Sequence, residues 1–267
     1  MSLVVRIVAV VVLLAGIAGA GGWYYFKQRR VHIAAVTAPA RPKNAWVDQL
    51  YSSNPKDAEA AVKEVEQLGF DALPVIHQIL QDPNATPGQV KGAIKACAVL
   101  GPIAAPAIGE VAEQLPDPTL TADAAMALSF MGPTAFPPLR DSLSSDDAAV
   151  RREALRSIGK LKDRAPIDAT AVVPLLIDAT GDTDAGVRAV AATYLGIIHE
   201  GGADAVFALM DGLKDPVPDV RRAAATALGS FGSEAQPAIP ALRRASADQD
   251  EDVAREAGVA LVKLTGQ

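Results

Sequence analysis

The 267-residue chain has one cysteine, three histidines and only 4% aromatic residues. A single thiol, Cys97, excludes an internal disulfide framework and a cysteine-built zinc site. It lies in an apolar helical stretch and reads as a small core residue. Half of the residues are apolar, and much of that share is alanine. Strand-rich folds draw on aromatic and β-branched side chains, whereas small apolar residues suit closely packed helices, so an all-α fold is expected. Acidic residues are missing from positions 1–43, which hold six of the 25 Lys/Arg. From residue 44 onward 19 basic groups face 31 acidic ones, a net of −12. That field repels phosphate backbones and argues against a nucleic-acid partner.

Catalytic signatures are also missing. There is no Gly-x-Ser-x-Gly elbow, phosphate loop, His-Glu-x-x-His or Cys-x-x-Cys. The reading is therefore a non-enzyme with no catalytic residue, no cofactor, no metal site and no evident small-molecule substrate.

Charge is absent again over residues 7–26, this time within a long apolar run. Twenty helical residues span about 30 Å, the thickness of a bilayer core. The run ends in Trp23-Tyr24-Tyr25-Phe26 and is followed by Lys27, Arg29 and Arg30, the order of an interfacial aromatic belt and cationic anchors. Residues 1–30 are expected to form a single-pass transmembrane anchor with a basic flank. The rival is a signal peptide cut after Ala20, which would leave a secreted binding protein. The excess of Lys/Arg after the run favours a cytoplasmic position for the rest of the chain over a periplasmic or extracellular one. Pro39 and Pro42 stand among small residues without periodicity, so residues 31–54 read as a tether followed by a short cap over 46–53.

Residues 55–267 repeat. Val150-Arg151-Arg152-Glu153-Ala154-Leu155-Arg156-Ser157-Ile158-Gly159 recurs from Val187 to Gly196 and from Val220 to Gly229, with a weaker copy from Val253 to Leu261. The anchor valines lie 37, 33 and 33 residues apart, a period that marks a solenoid of stacked units. A second signature, Gly-x4-Pro, begins at Gly69, Gly101, Gly132 and Gly232. Glycine ends one helix in the left-handed conformation, and proline fits the first turn of the next. Aspartates at 82, 117, 146–147, 182–184, 215 and 248–252 precede each first helix, where they satisfy open N–H groups. The expected architecture is an α-α superhelix of about six helical hairpins and a final helix.

These residues resemble HEAT repeats, specifically the short phycobilin-lyase-like class. The pattern Asp-x-x-x-Val-Arg-x-x-Ala-x-x-Ala-Leu-Gly is met best from Asp215 and Asp219 to Gly229, and also from Asp146 and from Asp182 and Asp184. The first three units lack Val-Arg, and Val262 stands where the last unit should have glycine. The resemblance implies that the first helix of each hairpin lines the convex face and the second the concave one. Such repeats serve many unrelated roles, so it implies little about function. Related helical-repeat hydroxylases use several His-Glu pairs, of which only His199-Glu200 exists here.

Arg151, Arg188 and Arg221 recur at matching positions, with Arg152, Arg222 and Arg255 beside them. The expectation is that they pair with inter-repeat aspartates such as Asp184 or Asp219 and lock neighbouring units, rather than reading an acidic partner. The candidate protein-binding residues are the solvent-facing polar positions of the second helices: His77, Gln78, Gln81, Glu110, Glu113, Arg140, Asp141 and Arg244, with Gly109 and Ser144 alongside. The leading functional expectation is a membrane-anchored adaptor or scaffold for an unknown protein partner. The alternatives are a tetrapyrrole (bilin) lyase-like or metal-dependent enzyme on the same scaffold, and a structural role through self-association.

Overall fold

The computed structural model describes residues 44–266; the anchor expected over 7–26 and the tether up to residue 43 lie outside them. Among the described residues there is no strand. A short helix, α1 (Ala45–Gln49), precedes six helical pairs. These are α2 (Pro55–Leu68) with α3 (Leu73–Gln81), α4 (Pro87–Leu100) with α5 (Ile108–Ala112), and α6 (Thr121–Phe130) with α7 (Phe136–Asp141). They continue as α8 (Ala148–Arg164) with α9 (Ala169–Ala179), α10 (Ala185–Ile198) with α11 (Gly202–Gly212), and α12 (Pro218–Leu228) with α13 (Ile239–Ala245). A single helix, α14 (Glu251–Thr265), follows. From α4 onward the first members pack on one another in order, α4 on α6 through to α12 on α14. They form layer A of the stack, and the second members form layer B.

Apolar spacing of three to four residues gives each layer A helix a face to bury. Leu128, Ile158, Leu195 and Leu228 occupy equivalent places, all without solvent contact. Burial of such a side chain stabilises by about 1.5–3 kcal/mol relative to exposure. Cys97 fills the same place in α4, fully buried, and burial pushes its thiol up to about 12. At the other end of the stack Trp46 and Leu50 bury themselves completely. Gly92 makes room for α1: a Cβ there would stand 2.2 Å from the Val47 carbonyl oxygen. The stretch Pro87–Ala112 is long and apolar enough to cross a membrane, but half of it is buried in the stack.

The turns within pairs are tighter than a glycine stop followed by a helix start. Gly69, Gly101, Gly132 and Gly232 do take positive φ (52°, 58°, 93° and 55°). The first three pair it with ψ of −121°, −130° and −178°, a region open to glycine and not the left-handed helical one expected. Short 3-10 segments follow, over Gly69–Ala72, Gly101–Ala107, Pro133–Ala135 and Gly232–Ala238. Pro74 and Pro137 therefore open layer B helices, while Pro106 and Pro237 lie inside the 3-10 segments.

The aspartates between units divide into two sets. Asp147, Asp184 and Asp250 are the N-caps of α8, α10 and α14, each accepting from backbone N–H groups of the first turn. Asp182, Asp215 and Asp248 accept instead from the N–H two residues on, at 2.8–2.9 Å, and close the loop itself. The helix α4 is capped by Thr86 and Gln89 in a reciprocal capping box rather than by Asp82.

Candidate functional site

In α8, α10 and α12 the residue after the anchor valine is an arginine, and the structure shows where its charge goes. Arg151 donates through Nε and Nη2 to both carboxylate oxygens of Asp182, at 2.8 and 2.7 Å. Arg188 does the same to Asp215 (2.7 and 3.0 Å), and Arg221 to Asp248 (2.8 and 2.8 Å). The remaining nitrogen, Nη1, donates to two carbonyls of the preceding loop: Ser145 and Asp146, then Asp182 and Thr183, then Asp215 and Pro216. Each guanidinium thus ties the loop before its own helix to the loop after its own unit. Side-chain exposure in these pairs is only 9–16%. Bidentate, partly desolvated pairs of this kind are the strong class of charge-assisted hydrogen bond. The locking role expected of these arginines is present, but the acids differ from those expected. Asp184 is spent as an N-cap and Asp219 pairs with Arg222, so the ladder uses Asp182, Asp215 and Asp248.

The ladder starts and stops in the sequence. Thr121 holds the equivalent place in α6, and its hydroxyl donates to the Leu115 and Asp117 carbonyls. It reproduces the backbone tie but is too short to reach the next loop. In α14 the place is taken by Ala254.

The Asp182 carboxyl is held below the usual carboxylate range, first by the Arg151 guanidinium. Burial acts upward on Asp215, but the hydrogen bonds from Arg188 and the Val217 N–H prevail and lower it. Asp248 is lowered chiefly by Arg221.

The residues singled out on layer B are partly assembled. His77 Nδ1 lies 2.7 Å from Glu110 Oε1, and Gln81 Nε2 donates to the same oxygen at 3.0 Å, which joins α3 to α5. Burial pushes the Glu110 carboxyl up, but its backbone and side-chain hydrogen bonds, including those from His77 and Gln81, leave it lowered. Arg140 and the adjacent Asp141 pair with each other at 2.7 Å. Gln78, Glu113 and Arg244 are exposed, as are Gly109 and Ser144. His199 stands apart at the end of α10, in the left-handed conformation (φ 40°, ψ 36°), its Nδ1 3.0 Å from the Ile197 carbonyl. Glu200 faces Lys162 at 3.5 Å. Among the described residues no three of His, Cys, Asp and Glu come together as a metal-holding group.

The large recess is on the other layer. A groove of about 700 Å³ is lined only by α8, α10, α12 and the residues that start and end them, including Arg152, Arg156, Ala189, Thr193, Ile197 and Arg222. Small residues line much of it. A Cβ on Gly196 would stand 2.6 Å from Ala227 Cα, and one on Gly229 3.1 Å from Ala260 Cα, so layer A backbones approach closely. A second recess, of about 450 Å³, lies toward α4 and α6, with Tyr51, Val99, Met126 and Phe130 in its wall. Lys95 lies over the Tyr51 ring and Arg164 over the Phe130 ring, at 4.7 and 4.0 Å. The sequence did show Arg152 and Arg222, but as companions of the ladder rather than as part of a groove.

Several solved structures are similar to this chain. An engineered protein is 21% identical over 83% of this chain and 95% of its own, with a TM-score of 0.46. A second engineered protein is also 21% identical, covering 83% and 67% with a TM-score of 0.49. A computationally designed armadillo repeat protein for modular peptide recognition is 19% identical over 82% and 98%, with a TM-score of 0.42. No curated protein matches the chain. The family profile of HEAT repeats matches residues 105–169, 136–216 and 173–262, more than half of the chain, and the protein belongs to the HEAT-repeat family.

Proposed function

We propose that this protein is a membrane-anchored scaffold that holds a protein partner on its HEAT-repeat stack. The observation that carries the reading is the division of polar groups. The buried ionic network is used up in joining one unit to the next, while both helical layers present polar and apolar side chains to solvent along the whole stack. Repeat stacks offer extended surface of this kind for partners. The short phycobilin-lyase-like subclass fits the Asp-x-x-x-Val-Arg pattern. Anchoring rests on the uncharged run 7–26 with its aromatic and basic end, and the basic excess after it favours a cytoplasmic stack.

Two experiments test the reading. Full-length protein and a variant with alanine at Gln78, Glu110 and Asp141 are compared for co-purified proteins. Loss of one specific partner supports binding through layer B, and an unchanged set rejects it. Fluorescent-protein and alkaline-phosphatase fusions after Gln267 report topology. Fluorescence without phosphatase activity is expected; phosphatase activity with a shortened band would mean cleavage after Ala20 and no anchor.

A further inference from the structure

Three of the exposed large apolar side chains gather at one place. Tyr51, Met126 and Phe130 are 36–46% exposed and line the recess of about 450 Å³ on α4 and α6, with Val99 in its wall. A contiguous exposed group of this kind marks a surface that meets something. The cations beside it differ from those of the layer A groove, where Arg152, Arg156 and Arg222 meet carboxylates. Lys95, Lys160 and Arg164 make no ion pair among the described residues. Lys95 donates to the Leu50 carbonyl at 2.7 Å and lies over the Tyr51 ring. Arg164 donates to Ser129 Oγ at 3.1 Å and lies over the Phe130 ring. Lys160 stands two residues after the buried Ile158, the place that Val99 and Phe130 hold after Cys97 and Leu128. The neutral partners of Lys95 and Arg164 orient them and leave their charge uncompensated. The recess has one carboxylate, Asp123, which faces the Tyr51 hydroxyl; burial and this carboxylate push that hydroxyl up to about 12.

Exposed aromatic rings with lysine and arginine beside them are the composition of a membrane interface. There the rings sit at headgroup level and the cations meet anionic headgroups. The position of the recess in the chain favours the same occupant. Tyr51 follows α1, the first described helix, and residues 27–43 alone stand between α1's N-cap and the apolar run 7–26. Fully extended, that segment reaches at most about 60 Å. A link that short holds the first units at high local concentration beside the bilayer, so even a weak second contact is occupied.

We infer that Tyr51, α4, α6 and the end of α8 rest on the bilayer interface, with Tyr51, Met126 and Phe130 at headgroup level and Lys95, Lys160 and Arg164 on anionic headgroups. This contact rests on the anchor reading and adds to it a second attachment, an orientation and a lipid chemistry. It turns layer A toward the bilayer and leaves layer B free for a protein partner.

The test is quenching by doxyl-labelled lipid in nanodiscs of phosphatidylcholine alone and of an equal mixture with phosphatidylserine. Full-length protein carries a nitrobenzoxadiazole label through Ala122→Cys, an exposed position one turn before Met126, or through Ala171→Cys, exposed on α9 of layer B. Cys97 is fully buried and does not compete for the label. In the phosphatidylserine discs the label at residue 122 is expected to be quenched at least threefold more than the label at residue 171. Its quenching should fall by half or more in the Lys95→Gln, Lys160→Gln, Arg164→Gln variant. Added salt should do the same to the unsubstituted patch, which keeps the test open if the triple variant folds poorly. Equal quenching of the two labels, no quenching of either, or quenching indifferent to salt and to phosphatidylserine overturns the inference. A label at residue 122 that lipid leaves unquenched and a soluble protein shields overturns it as well. Protein that fails to enter the discs rejects the anchor reading together with this contact, whereas protein that enters with residue 122 unquenched rejects this contact alone.

Discussion

The ring of Tyr194 occupies the volume that a side chain on Gly159 would need: an added Cβ would stand 2.1 Å from Tyr194 Cδ1. The two residues sit on successive layer A helices, α8 and α10, and the same relation is repeated by Gly196 with Ala227 and by Gly229 with Ala260. Gly159→Ala is expected to destabilise the protein by about 1–3 kcal/mol, the usual cost of overpacking. Adding Tyr194→Ala removes the ring from that volume, so the double variant should be more stable than the sum of the singles by about 1 kcal/mol. Urea unfolding of the four proteins measures this, and strict additivity would show that the two residues do not share a volume.

Arg188 and Arg222 are both arginines on layer A helices with a carboxylate in reach, yet their substitution should have different costs. Arg188→Ala leaves Asp215 partly buried without its partner and the Asp182 and Thr183 carbonyls without a donor. Removing one member of a buried pair costs about 3–5 kcal/mol, and the residual exposure here places the expectation at the low end. Arg222→Ala removes an exposed pair and should shift stability by less than about 1 kcal/mol. Similar urea midpoints for the two variants would contradict the division of roles.

The ladder also fixes an acid limit. Asp182, Asp215 and Asp248 all have lowered pKa values in the folded protein. A carboxyl lowered by folding contributes stability that is present above its unfolded value, about 3.9, and is lost as pH falls through the folded value. Stability should therefore drop below about pH 4, and the drop should be shallower in Arg188→Ala, whose Asp215 has less to lose. Thermal melts between pH 2 and pH 6 give both slopes; parallel curves for the two proteins would reject the linkage.

His199 stands four residues after Leu195, the place that glycine holds after Cys97, Leu128 and Leu228, and among the described residues it is the one non-glycine with positive φ. The left-handed conformation costs an ordinary residue about 1–2 kcal/mol, part of which glycine returns through the greater freedom of its unfolded chain. His199→Gly is expected to raise stability by about 0.5–1 kcal/mol. A destabilised variant would mean that the imidazole contact to the Ile197 carbonyl outweighs the strain.

The fold was legible because its signals are local and repeated. Val-Arg at a fixed period, Gly-x4-Pro at the turns and aspartate before the first helices are visible in one dimension. Which aspartate met which arginine was not, because the choice depends on a reach of 27 to 31 residues between loops. Asp184 and Asp219 were the nearer acids in sequence, but one caps a helix and the other faces the groove. The layer A groove was hidden for a related reason. The glycines at 159, 196 and 229 stand in the sequence only as the close of the repeated motif, whereas in the stack Gly196 and Gly229 admit the next backbone and Gly159 admits the Tyr194 ring. On layer B, counting equivalent positions sets Glu110 beside Gln78, whereas in the structure it is His77 and Gln81 that reach it.

Helix α14 carries Ala254 in place of the ladder arginine and Val262 in place of the packing glycine, and Val262 is 55% exposed. A unit duplicated inside the stack, such as a second copy of residues 217–249, would bring its own arginine, loop aspartate and glycine and would find matching sockets on both sides. The same unit placed after Val262 would meet a branched side chain where it needs an open backbone, and no guanidinium to grip its loop. Helix α14 thus lacks both features by which the preceding units hold their neighbours: a loop-joining guanidinium and an open glycine backbone.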